Sequence, residues 1–352
     1  MSCTSGGFPV QLDRVKSNSI TEILPTHTAA LFAAAVQRAA ESLRAGDVVA
    51  LPTETVYGLA ANALDAAAVA RIFEIKGRPA HNPIIVHVAS REMARQCAAH
   101  WPALADKLTA AFWPGPLTLV LPRASEIPDL VTAGGQTVGI RWPSHPFIQA
   151  VIRECGFPLA APSANPSNAV SPTNAGHVRK CLGGRVRLIV DGGQSQVGIE
   201  STVLDLTITP PRLLRPGMIH EESLIAVTGE LTVGRADTQA TLRSPGLLRK
   251  HYSPKARLAV LVWEDELDLK SQISNLKFQA DRVHVIAHTR IPLSGVFGRV
   301  SVIPHDAEAF ARALYGELHA GDEAGAELIV VESLPDTPEW RAVADRLRRA
   351  AA

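Results

Sequence analysis

The sequence predicts an α/β protein in two domains, and three observations carry that reading. Helical stretches and short apolar, strand-like runs alternate along most of the 352 residues. One long interruption, residues 227–256, has no sustained period. Beyond it the alternation resumes with β-branched strands and helical stretches, the pattern of a small doubly wound, Rossmann-like parallel sheet. The expected division is a mixed α/β domain over 1–226, a linker or lid over 227–256, and the doubly wound domain over 257–352. With 46% hydrophobic residues, a chain of this length can bury two cores.

In the first domain, "HTAALFAAAVQRAAESLRAG" reads as an Ala-rich helix closed by Gly46, and "DVVALPT" as a buried strand. "DAAAVARIFEIKG" reads as a helix capped by Asp65 and ended at Gly77. Lys76 then falls in its last turn, where a cation suits the helix dipole, and the following "GRPAHNP" carries Arg78 to where a buried sheet opens to solvent. Further strands are expected at "PIIVHV", "LTLVL", "TVGIRW", "RLIVDGG", "STVLDL" and "RLLRPG", and helices at 90–112, 145–155 and 173–182. The interruption carries Arg235, Arg243, Arg249, Lys250 and Lys255, and so long a stretch without elements of its own is often a lid or binding loop. In the second domain the strands are "RLAVLVW", "RVHVIAH", "RVSVIP" and "ELIVVES". The first of them runs into the acidic "EDELDLK" without a GxGxxG turn, so no nicotinamide or flavin nucleotide is expected there.

Bulk properties narrow the function. A formal charge of +1 gives no overall field toward nucleic acid or an anionic membrane, so any basic site is local. Four cysteines, at 3, 97, 155 and 181, lack CxxC spacing, which argues against zinc and a disulfide framework and for a reducing, cytoplasmic setting. No apolar window reaches membrane-span length, and "MSCTSGGFPVQLDRVKSNS" has no apolar core behind its charges.

Five segments share small or hydrogen-bonding residues that interrupt buried strands: "PTETVYGLAANA", "KGRPAHNP", "IRWPSHP", "APSANPSNAVSPT" and "GIESTVLDL". In an open α/β sheet, ligands bind at the carboxyl ends of strands. Taken singly, each reads as ordinary structure: a solvated helix end for Lys76 and Arg78, turn residues for Ser163 and Asn165, a core histidine for His87. There is no GxSxG and no His/Cys or His/Asp cluster at metal-ligand spacing. What the segments have in common is cations beside neutral hydroxyl and amide groups, a combination suited to nucleotidyl or phosphoryl transfer.

Together with "SPT", "LLRPG" and "HYSP", these motifs stand in the order found in one family. Over nearly its whole length the chain resembles a full-length threonylcarbamoyl-AMP synthase of the YrdC/Sua type. The resemblance implies a YrdC-like mixed twisted sheet with a concave site. It also implies a reaction: L-threonine, bicarbonate and ATP give L-threonylcarbamoyl-AMP and pyrophosphate, with Mg2+ accompanying ATP. The product would serve a downstream threonylcarbamoyl transferase complex acting at adenosine 37 of tRNA. By motif, Lys76 and Arg78 are the catalytic candidates. ATP or AMP binding falls to these two with Arg141, Ser163, Asn165, Ser171, Thr173, Arg215 and Tyr252. The threonine side falls to Thr53, Tyr57, His87, Arg141 and Ser201, and no protein ligand is assigned to the metal. Tyr252, with Arg249, Lys250 and His251, would cover the site if the linker folds back as a lid. Asn168 stands where Gly is common, and "HNP" and "HYSP" are local departures from the family pattern. The competing expectation is a tRNA or double-stranded RNA binding module without turnover, marked by steep salt dependence and no need for threonine.

Overall fold

Two sheets organise the chain in the structure, a computed structural model that describes residues 20–233, 251–293 and 295–352. The first domain opens with strand β1 (Glu22–Pro25), helix α1 (Ala29–Arg44), and strands β2 (Val49–Leu51) and β3 (Gly58–Asn62). Helix α2 (Ala66–Lys76), strand β4 (Val86–His87) and helices α3 (Arg91–Gln96) and α4 (Ala103–Phe112) follow. Strands β5 (Leu117–Pro122) and β6 (Thr137–Arg141), helix α5 (Pro146–Cys155), strand β7 (Leu159–Ala160) and helix α6 (Ala175–Leu182) come next. Strands β8 (Leu188–Asp191), β9 (Thr202–Asp205) and β10 (Arg212–Arg215), helix α7 (Glu221–Thr228) and strand β11 (Thr232–Val233) complete the domain. Among the described residues the strands form one mixed sheet, ordered β1-β8-β2-β3-β7-β4-β6-β5-β9-β10-β11.

Local chemistry sets several of these bounds. Thr28 caps α1 through Leu31 N, and Asp65 caps α2 through the amides of Ala67 and Ala68. Gly77, at φ 59°, ends α2 in the left-handed region that glycine enters without strain. One face of the sheet packs Leu43 of α1 and Phe147 and Ile152 of α5 against Val49, Leu159 and Val190. The other receives Ile72 of α2, Leu108 of α4 and Val178 of α6 over Leu119 and Ile140.

Tertiary pairing corrects two expectations and adds one strand that the sequence reading did not include. The single helix over 90–112 breaks before Pro102, because a residue preceding proline is turned out of helical geometry. The connection joins the sheet instead, with Ala99 N bonded to Pro122 O at 2.9 Å. In "PIIVHV" only Val86 and His87 form a strand, while Ile84 N bonds to Val131 O in a loop. "GLAAN", weak in β-propensity, becomes β3 because β2 and β7 flank it on both sides.

The second domain runs β12 (Arg257–Leu261), α8 (Glu266–Asn275), β13 (Val283–Ala287), β14 (Arg299–Val302), α9 (Ala307–Glu323), β15 (Leu328–Glu332) and α10 (Arg341–Ala350). Its sheet is fully parallel, in the order β12-β15-β13-β14. Alternate residues face opposite layers: Val285 and Val330 pack with Leu269 of α8, whereas Ile286 and Val331 pack with Phe310 and Leu314 of α9. At the carboxyl ends of the strands, Glu332 accepts the amides of His288 at 2.7 Å and Thr289 at 2.8 Å, with Arg290 N at 3.2 Å. A protein carboxylate thus holds the backbone N–H groups that a phosphate would use in a nucleotide-binding sheet. Of the 227–256 segment, α7 extends to Thr228 and β11 is formed, and within 251–256 Ser253 bonds to Asn168 of the first domain while His251, Lys255 and Ala256 bond to Arg349 and Asp322 of the second. The expected contributions of Arg235, Arg243, Arg249 and Lys250 lie outside the described residues.

The two domains share a core. Val56, Val170 and Ile199 of the first domain pack in one cluster with Tyr252 and with Phe310, Leu314, Tyr315 and Trp340 of the second. Leu314 is fully buried there. Leu314→Ala should cost about 2–5 kcal/mol in urea unfolding. Far-UV dichroism and tryptophan fluorescence should keep a common midpoint, since tryptophans occupy both domains. Separate midpoints would mean that the seam does not couple the domains.

Candidate active site

A cleft opens where several strand ends of the first sheet converge, the position at which ligands bind in an open α/β sheet. Strands β4 and β6 run parallel with His87 opposite Arg141 in register, so these two residues arrive together at the carboxyl ends of central strands. The chain after β2 supplies Thr53, Thr55 and Val56, the chain after β7 supplies Ser163, and the end of β10 supplies Arg215. Gly58 pairs with Ser163 across an isolated bridge, and a side chain there would meet the Ala161 methyl at 3.3 Å. Its lack of one keeps the two walls in register.

Three guanidinium groups, of Arg78, Arg141 and Arg215, line the cleft, and each is at most 8% exposed. Arg78 is anchored by two of its nitrogens, Nε to Asn82 O at 3.0 Å and Nη2 to Pro83 O at 2.7 Å, which leaves Nη1 for a ligand oxygen. Burial lowers its pKa to about 10, so it stays charged at neutral pH. Arg141 Nη1 donates to Thr55 Oγ1 at 2.8 Å, and Nη2 lies 2.6 Å from Glu54 Oε1 in a charge contact without hydrogen-bond alignment. Burial pushes the Glu54 carboxyl up, but the Arg141 guanidinium outweighs it and holds the group below its ordinary value. Arg215 binds the Ser201 carbonyl through Nε at 3.0 Å and Ser201 Oγ through Nη2 at 3.1 Å. Glu200 also lines the cleft.

Burial lowers the pKa of five histidines at and around the cleft. It lowers His87 to about 3, aided by the nearby Arg141 charge, and His251 to about 3. It lowers His177 to about 4, and it also lowers His145 and His319. His87 Nδ1, Tyr252 Oη and both side-chain polar atoms of Asn82 are buried without hydrogen-bond partners. Tyr252 lies in the left-handed region at φ 63°, where a bulky residue is strained, and such strain gathers at functional sites. Asn168, also positive at φ 68°, is the non-glycine residue best suited to that geometry after Asp, and its carbonyl accepts Ser253 N at 2.9 Å.

Among the sequence-predicted site residues, Thr53, Arg78, His87, Arg141, Ser163, Ser201, Arg215 and Tyr252 line the cleft, as does His251. Lys76, Tyr57, Asn165, Ser171 and Thr173 stand behind it as supports. Lys76 is 3% exposed rather than solvated at a lip, and its ammonium donates to the carbonyls of Ser163 and Asn165. Burial, with Arg78 nearby, holds that ammonium well below its ordinary pKa. Asn165 Nδ2 donates to Ala169 O at 2.6 Å, Ser171 Oγ donates to Glu200 Oε1 at 2.7 Å, and Thr173 Oγ1 pairs with His177 Nδ1 at 3.3 Å. Tyr57 donates to Gly193 O at 2.7 Å and accepts from Gly192 N at 3.1 Å, so its hydroxyl is directed to a turn rather than to the cleft. Sequence reasoning passed over Glu54, Thr55 and Glu200, although each sits inside a quoted segment. It had no signal for Tyr315 and Arg346, whose partners are over a hundred residues away. No group of three or more His, Cys, Asp or Glu side chains among the described residues is arranged to hold a metal ion.

Comparisons with known proteins fit this arrangement. Residues 41–217 match the family described as "Telomere recombination", and residues 219–352 match "Threonylcarbamoyl-AMP synthase, C-terminal domain". The threonylcarbamoyl-AMP synthase of Pyrococcus abyssi is 41% identical over 323 residues, covering 90% of this chain and 93% of its own. That of Bacillus subtilis is 43% identical over 327 residues, covering 90% and 92%. The crystal structure of P. abyssi Sua5 complexed with L-threonine superposes with a TM-score of 0.85 at 38% identity, covering 95% of this chain and 98% of that one. Fold and cleft together define an enzyme of the nucleotidyl-transfer class, built on a mixed sheet with a parallel α/β domain behind it. Within that class, the chain belongs to the threonylcarbamoyl-AMP synthase family.

The neutral histidines fix a pH response. A folded state that keeps His87 unprotonated down to about pH 3, against an ordinary value of 6.5, binds fewer protons than the unfolded chain between those limits. Stability therefore rises with pH through this window and is lost on acidification. His87→Gln should flatten the dependence of unfolding free energy on pH by up to ~1.4 kcal/mol per pH unit inside the window. Urea titrations at several pH values check this, and an unchanged slope would mean that folded His87 is protonated.

Proposed function

We propose that the cleft holds ATP beside L-threonine and that the protein condenses L-threonine, bicarbonate and ATP to threonylcarbamoyl-AMP and pyrophosphate. The carrying observation is the convergence of Arg78, Arg141 and Arg215 on one cleft whose other polar groups are hydroxyls, backbone, neutral imidazole and a single carboxylate, Glu200, that is paired with Arg346. Such a wall neutralises and orients anions, and it contains no activated nucleophile. The threonine amine and bicarbonate form a carbamate with loss of water. A carbamate oxygen then attacks the α-phosphorus of ATP, forming the new P–O bond as the bond to the pyrophosphate leaving group breaks. Arg78, with Nη1 directed by its two anchors, takes phosphate oxygens, and Arg215 takes charge from the opposite wall. Thr53, His87, Arg141 and Ser201 form the threonine side, and Lys76 and Asn165 shape the loop that presents Ser163.

Mg2+ carried by the ATP phosphates would supply further neutralisation of their charge. The cleft's one lining carboxylate, Glu200, is engaged by Arg346, and Glu54, buried beside the cleft, is engaged by Arg141, which favours a metal carried by substrate oxygens and water over one held in a protein cage. The product is a hydrolysable mixed anhydride, so a threonylcarbamoyl transferase complex acting on tRNA consumes it downstream. No helix among the described residues is long and apolar enough to cross a membrane, and the cytoplasm is the proposed setting.

The test is pyrophosphate release from ATP with threonine and bicarbonate each present or omitted, and serine and valine as controls. Release should require both co-substrates. Valine should fail, and serine, short of one methyl, should be disfavoured by only ~10–200-fold. Arg78→Ala should lower kcat/KM by ~10²–10³, on the scale of a lost transition-state contact, with little change in Tm. Salt-sensitive RNA binding without pyrophosphate release would overturn the synthase reading in favour of a binding module.

A further inference from the structure

Arg346 belongs to the last helix of the second domain, yet it is fully buried while the Arg348 side chain nearby is 75% exposed. Its guanidinium reaches out of its own domain. Nε donates to Glu200 Oε2 at 2.8 Å, Nη2 to the Glu200 carbonyl at 3.0 Å, and Nη1 to the Pro216 carbonyl at 2.9 Å. Glu200 immediately precedes Ser201, and Pro216 immediately follows Arg215, and Ser201 and Arg215 line the cleft. One side chain of the second domain therefore clasps both segments that form this wall. Tyr315 of α9 adds a hydroxyl to Glu200 Oε2 at 2.9 Å, and the Arg346 guanidinium lies 5.6 Å from the ring centre of Tyr252, itself a cleft residue.

The chemistry of the wall calls for such a clasp. Glu200 is a carboxylate on the lining of a cleft that is otherwise cationic, next in sequence to the residue on which Arg215 is anchored. Left without a counter-ion, it would compete with an anionic substrate for Arg215. We infer that Arg346 is a positioning residue for the anion-binding wall: it neutralises Glu200 from behind, so that the Arg215 charge is directed into the cleft. Burial pushes the Glu200 carboxyl up, and Arg346, followed by Arg215, holds it below its ordinary value, so both cations act on this one group. Arg346 itself has a second counter-ion, Asp345 at 3.1 Å, so loss of the Glu200 charge would leave it paired. The second domain thereby becomes part of the site without touching substrate. The inference rests on the proposed reading only in taking phosphate oxygens as the ligands of the cleft.

Arg346→Met removes the charge and keeps the length of the side chain. In the full chain, the Kd for pyrophosphate measured by calorimetry should rise ~10-fold or more, the scale of a lost charge-assisted contact. KM for ATP should rise by a similar factor, with a smaller change in kcat. Combining it with Glu200→Gln should restore most of the affinity, since the competing carboxylate is gone; a merely structural Arg346 would instead make the double variant at least as weak as the single. Unchanged pyrophosphate affinity in Arg346→Met, or no recovery in the double variant, would overturn the inference. If the single variant does not fold, the double variant decides: near-wild-type affinity supports neutralisation, and a tenfold loss overturns it. Pyrophosphate binding needs no turnover. A wild-type chain that binds it but does not react with threonine would refute the synthase reading and leave this test standing.

Discussion

The buried ion pair between Glu200 and Arg346 is the constraint on which the relation of the two domains depends. The Arg346 charge cannot be withdrawn alone, because a carboxylate left buried without its partner costs about 3–5 kcal/mol. A guanidinium that must satisfy a carboxylate, the carbonyl of the same residue and the Pro216 carbonyl has little freedom in where it sits. The apolar seam around it, from Val56 and Ile199 to Phe310 and Leu314, supplies the bulk of the attraction, and the polar contacts select one docking geometry.

From that docking follows the shape of the cleft. Tyr252 is strained at φ 63°, a conformation that costs on the order of 1–3 kcal/mol and persists only where its surroundings over-determine it. They do so on both sides. His251 N is bonded to the Arg349 carbonyl and Ser253 N to Asn168, while Asp322 takes the amides of Lys255 and Ala256. The strained residue is thus held by the second domain at one end and by the first domain's Asn168 turn at the other. The end of the linker closes against the cleft because both domains grip it.

The electrostatic arrangement has a consistent logic. Three arginines and one carboxylate line the cleft; Glu200 is matched to Arg346 behind it, and Glu54, buried off the lining, is matched to Arg141. Burial leaves the surrounding imidazoles uncharged. At the strand ends of the second domain, Glu332 accepts the amides that follow β13, and the contacts of that domain with the cleft segments run through the seam.

The sequence by itself determined the α/β alternation, the helix ends at Asp65 and Gly77, the second, parallel sheet and the motifs that carry Arg78, Arg141 and Arg215. These are local properties: a cap, a glycine that enters the left-handed region, an apolar period, a motif that keeps its order. The tertiary structure alone decided which residues line the cleft and which bond to neighbouring segments around it. Lys76 reads as a solvated helix end until the turn carrying Ser163 and Asn165 folds over its ammonium, and Tyr57 reads as a site residue until Gly192 and Gly193 capture its hydroxyl. The weak β3 became a central strand because two neighbours flanked it, and Arg346 joined the site because domain docking set it beside Glu200, 146 residues away. Pairing and counter-ion choice are non-local, since the partner that satisfies a buried polar group is selected by packing and leaves no mark in the neighbouring sequence.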